Sequence, residues 1–417
     1  MKRLKIEKMV YGGYGLSRLE GMTYLITGGY PHEEVEVETI KCKKDVCFAE
    51  VKRVLTPSKW RRSVNCKHFE KCGGCEWMNV TYEKQLEFKR EILVEQMRRI
   101  AKKEMKTPSI ISTPEFHYRN KAEFVVQDSK LGFFKRGTHQ FIHVNECMIV
   151  SKKINETKTK IEKMLKAHPK FSSKLDHVVI KEGEGQVMVI FTSTSEITPP
   201  YIEGIDSVVT LKRKNRSHVV ISGKEKVHQG REKVDMKING VKYAIPSKSF
   251  FQVNTEGAKI LAKVVRDYAG SSQKALDLYC GVGFFSLQIH DKFESVMGIE
   301  SSPSSVKVAK SNAELNGFSN VTFQVKKVEE WYPHEKFDVV ILDPPRSGLK
   351  KKMVEKVATI ASERIVYVSC DSSTFARDAE LFEEMGFVLK DLTLVDMFPQ
   401  THHFEMVSLL EKIEKGN

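Results

Sequence analysis

The spacing of hydrophobic and polar positions changes twice along the chain. Residues 1–57 alternate short β-branched runs with glycine turns, a pattern that predicts a small, OB-like β-barrel. Residues 58–244 combine strand-like runs with an amphipathic helix over residues 81–105 and predict a central α/β domain. In residues 245–417, apolar strands alternate with helices, which is typical of a parallel, Rossmann-like sheet. We therefore predict a multidomain α/β protein with these three domains.

In the last segment, polar residues follow the predicted strands. The strand in KALDLYC leads into a turn with Gly281 and Gly283, which lets the backbone approach a nucleoside cofactor closely. The next strand ends at Glu300, where a carboxylate is placed to accept hydrogen bonds from ribose hydroxyls. A dinucleotide site would need a third glycine, but Ser286 stands there. The pattern favours a methyl-donor site.

A later strand, residues 365–368, carries Cys370 to its carboxyl end, and Asp371 to Thr374 follow with a helix-cap signature. Open α/β sheets bind ligands at this edge, so Cys370 is a candidate nucleophile. The alternative is a buried structural cysteine, which is common for an isolated thiol. Glu405 precedes the closing strand MVSLL and is either a solvated charge or a partly buried base with a raised pKa.

The sequence Asp343-Pro-Pro-Arg346 follows another strand and predicts a rigid lip beside the cofactor. Enzymes that methylate exocyclic amino groups place an aromatic residue after the prolines. Arg346 occupies that position here, which argues against this reaction. Enzymes that form 5-methylcytidine often have a cysteine in this loop, and this chain has none.

The net charge of +14 is unevenly distributed. Residues 1–244 hold 47 Lys and Arg against 30 Asp and Glu, whereas residues 245–417 hold 21 against 24. This asymmetry indicates a polyanion held by the front of the chain, although a solvated Lys-rich surface would look the same. Residues 212–218 form a further basic loop. We expect about half of the following side chains to contact phosphates or bases and the others to pack or face solvent: Arg119, Lys121, Phe133, Phe134, Lys135 and Arg136.

The chain shows no signal peptide and no apolar run of membrane-spanning length, which predicts a cytoplasmic protein with no membrane partner. Its eight cysteines then indicate metal binding or catalysis rather than disulfides. Cys66, Cys72 and Cys75 surround a Gly-Gly pair, and Cys147 is the available fourth ligand. Four thiolates would suit either zinc or an iron–sulfur cluster. We interpret Cys42 and Cys47, in the predicted barrel, as packing residues.

Two resemblances sharpen these expectations. Residues 1–57 resemble a TRAM domain, a small RNA-binding barrel, through YGGYGLSR, GGYPHEEVEVE and AEVKRVLTPS. Over nearly its whole length the chain resembles the RNA 5-methyluridine methyltransferases of the branch with a TRAM domain and a 4Fe–4S cluster. The matching motifs are CKHFEKCGGC, SFFQVN, LDLYCGVGFFSL, LDPPRSGL, VYVSCDSSTFARD and VDMFPQTHHFE.

The resemblance implies a nucleophile at Cys370 and a proton acceptor at Glu405. It implies contacts to S-adenosylmethionine from Gln252, Tyr279, Glu300 and Asp343, and a 4Fe–4S cluster on Cys66, Cys72, Cys75 and Cys147. Asp371 and Ser372 replace the family's usual Asn-Pro, and we expect the added charge to raise the pKa of the Cys370 thiol.

For the substrate, the resemblance favours a uridine of large-subunit (23S) ribosomal RNA, with transfer RNA as the alternative, and a monomeric enzyme. Two other functions are considered. An RNA cytidine C5 methyltransferase is disfavoured by the missing loop cysteine and by Glu405. A non-catalytic RNA-binding iron–sulfur protein is disfavoured because every catalytic position of the family is filled except at Asp371 and Ser372.

Overall fold

The computed structural model describes residues 1–215 and 219–413, so residues 216–218 of the predicted basic loop lie outside the described residues. The mixed α/β architecture is confirmed. A six-stranded sheet with the order β1-β5-β6-β4-β3-β2 occupies the region of the predicted barrel. Its strands are β1 (Lys2–Lys5), β2 (Lys8–Val10), β3 (Tyr14–Leu19), β4 (Met22–Thr27), β5 (Glu34–Lys43) and β6 (Val46–Thr56).

The interpretation of Cys42 and Cys47 as packing residues was wrong. The two residues pair across the β5–β6 hairpin, 4.0 Å apart at Cα, and form a disulfide. Cys47 is buried, but Cys42 is exposed near the end of the hairpin. Sequence spacing alone could not show this pairing, because it depends on the register of the hairpin.

Helix α1 (Tyr82–Ile100) and strand β7 (Ser109–Ile111) follow. The predicted helix is confirmed with a shorter C-terminal end, and its residues Ile92, Leu93 and Met97 are buried. A seven-stranded sheet comes next, with the order β10-β9-β8-β11-β12-β13-β14. Its strands and helices are β8 (Lys121–Gln127), β9 (Lys130–Phe134), β10 (Phe141–His143), α2 (Lys152–Ala167), α3 (Pro169–Ser172), β11 (His177–Glu182), β12 (Val187–Ser193), β13 (Ser207–Lys212) and β14 (Lys224–Gly230).

A hairpin of β15 (Lys233–Ile238) and β16 (Val241–Pro246) leads into an eight-stranded sheet with the order β19-β18-β17-β20-β21-β23-β22-β7. Strands β17 to β21 are parallel, and β23 runs antiparallel between β21 and β22. The elements are α4 (Thr255–Ala269), β17 (Ser272–Leu278), α5 (Phe284–Gln288), β18 (Phe293–Glu300), α6 (Pro303–Asn316), β19 (Val321–Val325), β20 (Phe337–Leu342), α7 (Lys351–Ile360), β21 (Ala361–Ser369), α8 (Ser372–Glu384), β22 (Phe387–Val395) and β23 (Glu405–Lys412), with single 3₁₀ turns at His290–Lys292 and Val328–Glu330.

Alternate residues of the central strands face two different cores, as the period of a strand requires. Val339 and Ile341 of β20 pack with α4, α5 and α6, whereas Val340 and Leu342 pack with α1, α7 and α8. The sheet therefore has helices on both faces, and α1 from the front of the chain covers part of one face. No helix in the described ranges is long and apolar enough to cross a membrane.

Candidate active site

The strand–turn–helix unit predicted around Cys370 is present. Strand β21 ends at Ser369, and Cys370 follows as a half-buried free thiol. The side chain of Asp371 caps α8: its Oδ1 accepts hydrogen bonds from the backbone N of Ser373 and of Thr374, both at 3.0 Å. The carboxylate thus stabilises the first turn of the helix that follows the thiol.

Glu405 reaches the same edge of the sheet from the opposite direction. It is the first residue of β23, which is antiparallel to β21 with Ser369 paired to Met406. The start of β23 therefore lies beside the end of β21, and the two predicted catalytic residues are brought together. The Glu405 side chain is buried, with 9% of its surface exposed.

Burial and neighbouring charges set the protonation of this site. Burial, followed by the carboxylates of Glu405 and Asp343, raises the pKa of the Cys370 thiol to about 11, and Arg346 acts against this shift. Burial also raises the pKa of Glu405 well above its ordinary value, with Asp343 adding to the effect. Arg346 is therefore the cation that favours the thiolate, a role that its position after the two prolines did not predict.

Asp371 is not the main charge that acts on the Cys370 thiol. The charges that act most strongly on the thiol belong to Glu405, Arg346 and Asp343. One oxygen of Asp371 is turned towards the N-terminus of α8, and the other accepts a hydrogen bond from Tyr11 Oη in the six-stranded sheet. The Asp371 carboxylate is thus engaged by these two partners.

The predicted cofactor residues mostly follow neighbouring strand ends. Glu300 ends β18, Tyr279 follows β17, and Asp343 follows β20, so they lie along one edge beside Cys370 and Glu405. The order of strands reverses at β17 and β20, where open α/β sheets bind ligands. Gln252 is separate from this row, in the loop before α4, and its carbonyl accepts a hydrogen bond from Asn120 Nδ2 at 3.1 Å.

The turn after β17 leaves room for a nucleoside. Gly281 has a φ of +54°, and a Cβ there would meet nothing within 4 Å. Glu300 already accepts hydrogen bonds from the backbone N of Gly281 at 3.3 Å and of Ser302 at 2.7 Å, which fixes its carboxylate beside this turn. Tyr279 adopts a left-handed backbone with a φ of +63°. An open turn with an oriented carboxylate fits the ribose of S-adenosylmethionine.

Two carboxyl groups near the ends of β17 and β20, Asp277 and Asp343, have raised pKa values. Asp277 is fully buried, and its Oδ2 accepts hydrogen bonds from the N and Oγ of Ser286, whereas its Oδ1 has no hydrogen-bond partner. Burial raises the pKa of Asp277 and of Asp343 to about 7. A cation bound beside these carboxyl groups would stabilise their ionised forms, and the sulfonium of S-adenosylmethionine is such a cation.

The four clustered cysteines converge on a cavity of about 380 Å³, which is lined mostly by residues 66–78 and 119–150. Cys66, Cys72, Cys75 and Cys147 all line it, and none is in a disulfide. Within residues 1–215 and 219–413, no group of three or more His, Cys, Asp or Glu side chains is arranged to hold a single metal ion. A set of four thiols around a larger space fits a multi-iron cluster, in which the ligands do not meet at one point.

The cysteine-bearing segment also contacts the chain just before Glu405. The backbone N of Glu76 and of Trp77 both donate to the carbonyl of Gln400, each at 3.0 Å. The Gln400 side chain in turn accepts from Gln85 Nε2 of α1 at 3.0 Å. The loop that leads into β23 is therefore held by elements from the front half of the chain.

Comparison with known proteins decides the family. The model of the tRNA (Uracil-5-)-methyltransferase family matches residues 81–413. This chain belongs to that family. Its curated relatives include RNA methyltransferases of unassigned function from Aquifex aeolicus, 34% identical with 98% of each chain covered, and from Thermotoga maritima, 34% identical with 99% of each covered.

A solved structure supports the same assignment. The tRNA (uracil-54, C5)-methyltransferase of Pyrococcus abyssi, in complex with S-adenosyl-L-homocysteine, superposes with a TM-score of 0.82 at 27% identity. The alignment covers 98% of this chain and 100% of the Pyrococcus chain. The protein is therefore an S-adenosylmethionine-dependent RNA (uracil-5-)-methyltransferase.

The sequence did not predict the roles of two residues near the nucleophile, Arg346 and Tyr11. Arg346 was considered only as a departure from amino-methylating enzymes, and its contribution to the thiolate depends on the fold of the loop. Tyr11 lies 360 positions before Asp371, and no local pattern links the two residues.

Proposed function

We propose that this enzyme methylates C5 of a uridine in structured RNA through a covalent adduct between Cys370 and C6 of the uracil ring. The observation that carries the proposal is the convergence of Cys370, Glu405, Arg346 and Asp343 at one edge of the sheet. A nucleophile, a buried carboxylate and a guanidinium are the groups that addition and elimination at a pyrimidine ring require.

Cys370 begins the reaction. Arg346 favours its thiolate, and addition of the sulfur at C6 pushes electron density to C5 and O4, so that C5 becomes nucleophilic. S-adenosylmethionine, when bound, supplies the electrophilic methyl group. In this proposal Glu300 holds the ribose, while Gln252, Tyr279 and Asp343 orient the rest of the donor.

Glu405 completes the reaction by accepting the proton from C5. The electron pair of the C5–H bond then restores the ring double bond as the bond between the Cys370 sulfur and C6 breaks. The carboxylate is buried with a raised pKa, which makes it a stronger base than an exposed glutamate. Its position on the strand beside Cys370 lets both residues act on the same ring.

The target base has to leave a helix or loop to reach Cys370, so the flanking RNA needs a surface of its own. On the β9–β10 hairpin Phe134 and Lys135 are exposed, whereas Phe133 packs on Phe124 with ring centres 5.1 Å apart. Arg136 is engaged by Glu76 at 3.0 Å. We propose Phe134 and Lys135 as RNA contacts and Phe133 as a core residue.

We further propose that Cys66, Cys72, Cys75 and Cys147 hold a 4Fe–4S cluster. The cavity that they line and the hydrogen bonds from Glu76 and Trp77 to Gln400 support a structural role in holding the loop before Glu405. Methyl transfer to uracil consumes no electron, so the reaction itself does not call for a redox function.

Large-subunit ribosomal RNA is the first candidate substrate, on the resemblance to the branch with the barrel and the cysteine cluster. Transfer RNA is the second, because the Pyrococcus enzyme acts on tRNA. Mapping 5-methyluridine by mass spectrometry in both RNAs, from strains with and without this gene, separates the two. The RNA that loses one defined 5-methyluridine is the substrate.

The reaction is tested by incubating purified protein with RNA from the deletion strain and analysing the nucleosides. The wild-type protein is expected to form 5-methyluridine, and Cys370→Ala to form none. Cys42→Ala, at an exposed cysteine near the end of the β5–β6 hairpin and outside the eight-stranded sheet, is the control and should remain active. Undiminished turnover by Cys370→Ala would refute the proposal, and formation of 5-methylcytidine would favour the cytidine alternative.

A further inference from the structure

The turn between β2 and β3 brings an aromatic residue of the N-terminal region beside the segment that carries Cys370. Tyr11 Oη donates a hydrogen bond to Asp371 Oδ2, next to the nucleophile Cys370. Arg346 lies close enough to influence the Tyr11 hydroxyl. The hydroxyl is engaged, yet 44% of the Tyr11 surface remains exposed. The hydrogen bond of the hydroxyl therefore orients the ring, and the exposed part of the ring is accessible to a ligand.

The turn is held on its other side as well. Gly13 has a φ of +77°, and a Cβ there would come within 2.8 Å of His402 Cβ, so the backbone packs directly on the loop before Glu405. The carbonyl of Gly13 accepts a hydrogen bond from Trp77 Nε1 at 3.4 Å. The Tyr11 turn therefore contacts the segments next to both proposed catalytic residues, through Asp371 and His402. These contacts order the turn in advance, so less conformational entropy is lost when a ligand stacks on Tyr11.

We propose that the ring of Tyr11 stacks on a nucleobase of the substrate RNA and forms one wall of the entrance to Cys370. A base that leaves its helix loses its stacking partners, and an exposed aromatic ring at the point of entry replaces one of them. Asp371 is then a positioning residue: one of its oxygens caps α8 and the other holds Tyr11. The proposal rests on the proposed function, because it takes Cys370 as the group that the uridine reaches.

The kinetic test uses the full-length protein, S-adenosylmethionine and RNA from the deletion strain. Tyr11→Ala is expected to raise KM for RNA by about tenfold or more, the typical loss for one base–aromatic stack, and to leave KM for S-adenosylmethionine unchanged. Tyr11→Phe keeps the ring and should stay within about threefold of wild type. Tyr201→Ala, at an exposed tyrosine on the segment between β12 and β13, is the control and should behave as wild type. A wild-type KM for RNA in Tyr11→Ala would overturn the proposal.

A second measurement does not depend on the variants folding. Wild-type protein is irradiated with RNA transcribed with 5-iodouridine, and cross-linked peptides are identified by mass spectrometry. A cross-link at Tyr11 supports the proposal, and cross-links confined to other residues contradict it. If Tyr11 cross-links to this RNA but wild-type protein forms no 5-methyluridine in unmodified RNA from the deletion strain, the proposed function fails while the cross-link still reports on Tyr11.

Discussion

Cys370 and Glu405 stand one residue beyond Ser369 and Met406, the last cross-strand pair of β21 and β23. Paired strands lie about 5 Å apart, so the antiparallel register alone brings a nucleophile and a base to neighbouring positions. The two residues are 35 positions apart in the chain, but the pairing of β21 with β23 places them side by side. The chemistry of the site depends on that pairing.

Replacing the proposed base should separate adduct formation from its resolution. In Glu405→Gln the shape of the side chain is kept, but the proton acceptor is lost. We expect turnover to fall by about 10²–10⁴-fold and a Cys370–RNA adduct to accumulate on a denaturing gel. The double variant Cys370→Ala, Glu405→Gln should show no adduct, and normal turnover by Glu405→Gln would contradict the assignment.

The rate of adduct formation should rise with pH. Only the thiolate attacks, and the pKa of the Cys370 thiol is raised to about 11, mainly by burial. Below this pKa the thiolate fraction grows about tenfold for each pH unit, so we expect that slope between pH 7 and pH 9. Single-turnover measurements with wild-type protein report the step, because Glu405→Gln would itself remove a carboxylate that raises this pKa. Arg346→Met should slow it at every pH in this window, and a flat profile would show that thiolate formation does not control the rate.

Asp343 should reduce the stability of the ligand-free protein at neutral and higher pH. Its pKa is about 7 in the folded protein, chiefly through burial, against an ordinary value of 3.8. Between these values the folded state binds more protons than the unfolded state, so stability decreases as pH rises towards and through 7. Asp343→Asn removes this cost and should raise the free energy of unfolding at pH 8 by on the order of 2 kcal/mol, with a smaller gain at pH 5.5.

Urea unfolding at the two pH values measures this difference. Asp338→Asn is the matched control, because Asp338 Oδ2 accepts hydrogen bonds from the backbone N of Gln273 at 3.0 Å and of Lys274 at 2.8 Å. This variant should be less stable than wild type at pH 8. Equal stability of Asp343→Asn and wild type at pH 8 would show that the Asp343 carboxyl carries no cost in the folded protein.

Removing one cluster ligand should affect both iron content and stability. We expect Cys75→Ser to lose iron and acid-labile sulfide and to unfold at a lower temperature, because the neighbouring Glu76 and Trp77 hold the carbonyl of Gln400. Cys280→Ala should keep its iron, since this buried cysteine does not line the cluster cavity. Metal analysis and thermal melts are the measurements, and zinc in place of iron would refute the iron–sulfur assignment.

The local features of the site were predictable because short sequence patterns determine them. The apolar run before Cys370 and the polar residues after it predicted the end of β21 and the start of α8. The same holds for Glu300 at the end of β18 and for the helix around Ile92 and Leu93. In each case the side-chain period and one boundary residue were sufficient.

The contacts that complete the site join distant segments and leave no local pattern. Tyr11 and Asp371 are both ordinary turn or cap residues in the sequence, and only the docking of the N-terminal sheet joins them. The Cys42–Cys47 disulfide depends on a hairpin register. Strand β7 has three residues, too few to show a period, and exists because β22 offers it an open edge.

Strand β7 has a practical consequence for dividing the protein. It pairs with β22 through Thr393, Leu394 and Val395, so the outermost strand of the eight-stranded sheet comes from residues 109–111. A fragment beginning at residue 245 would expose the backbone of β22 and the apolar face that α1 covers. Such a fragment should aggregate through its open edge, whereas one that retains residues 82–114 on a linker in place of 115–244 keeps β22 paired with β7 and its apolar face covered by α1.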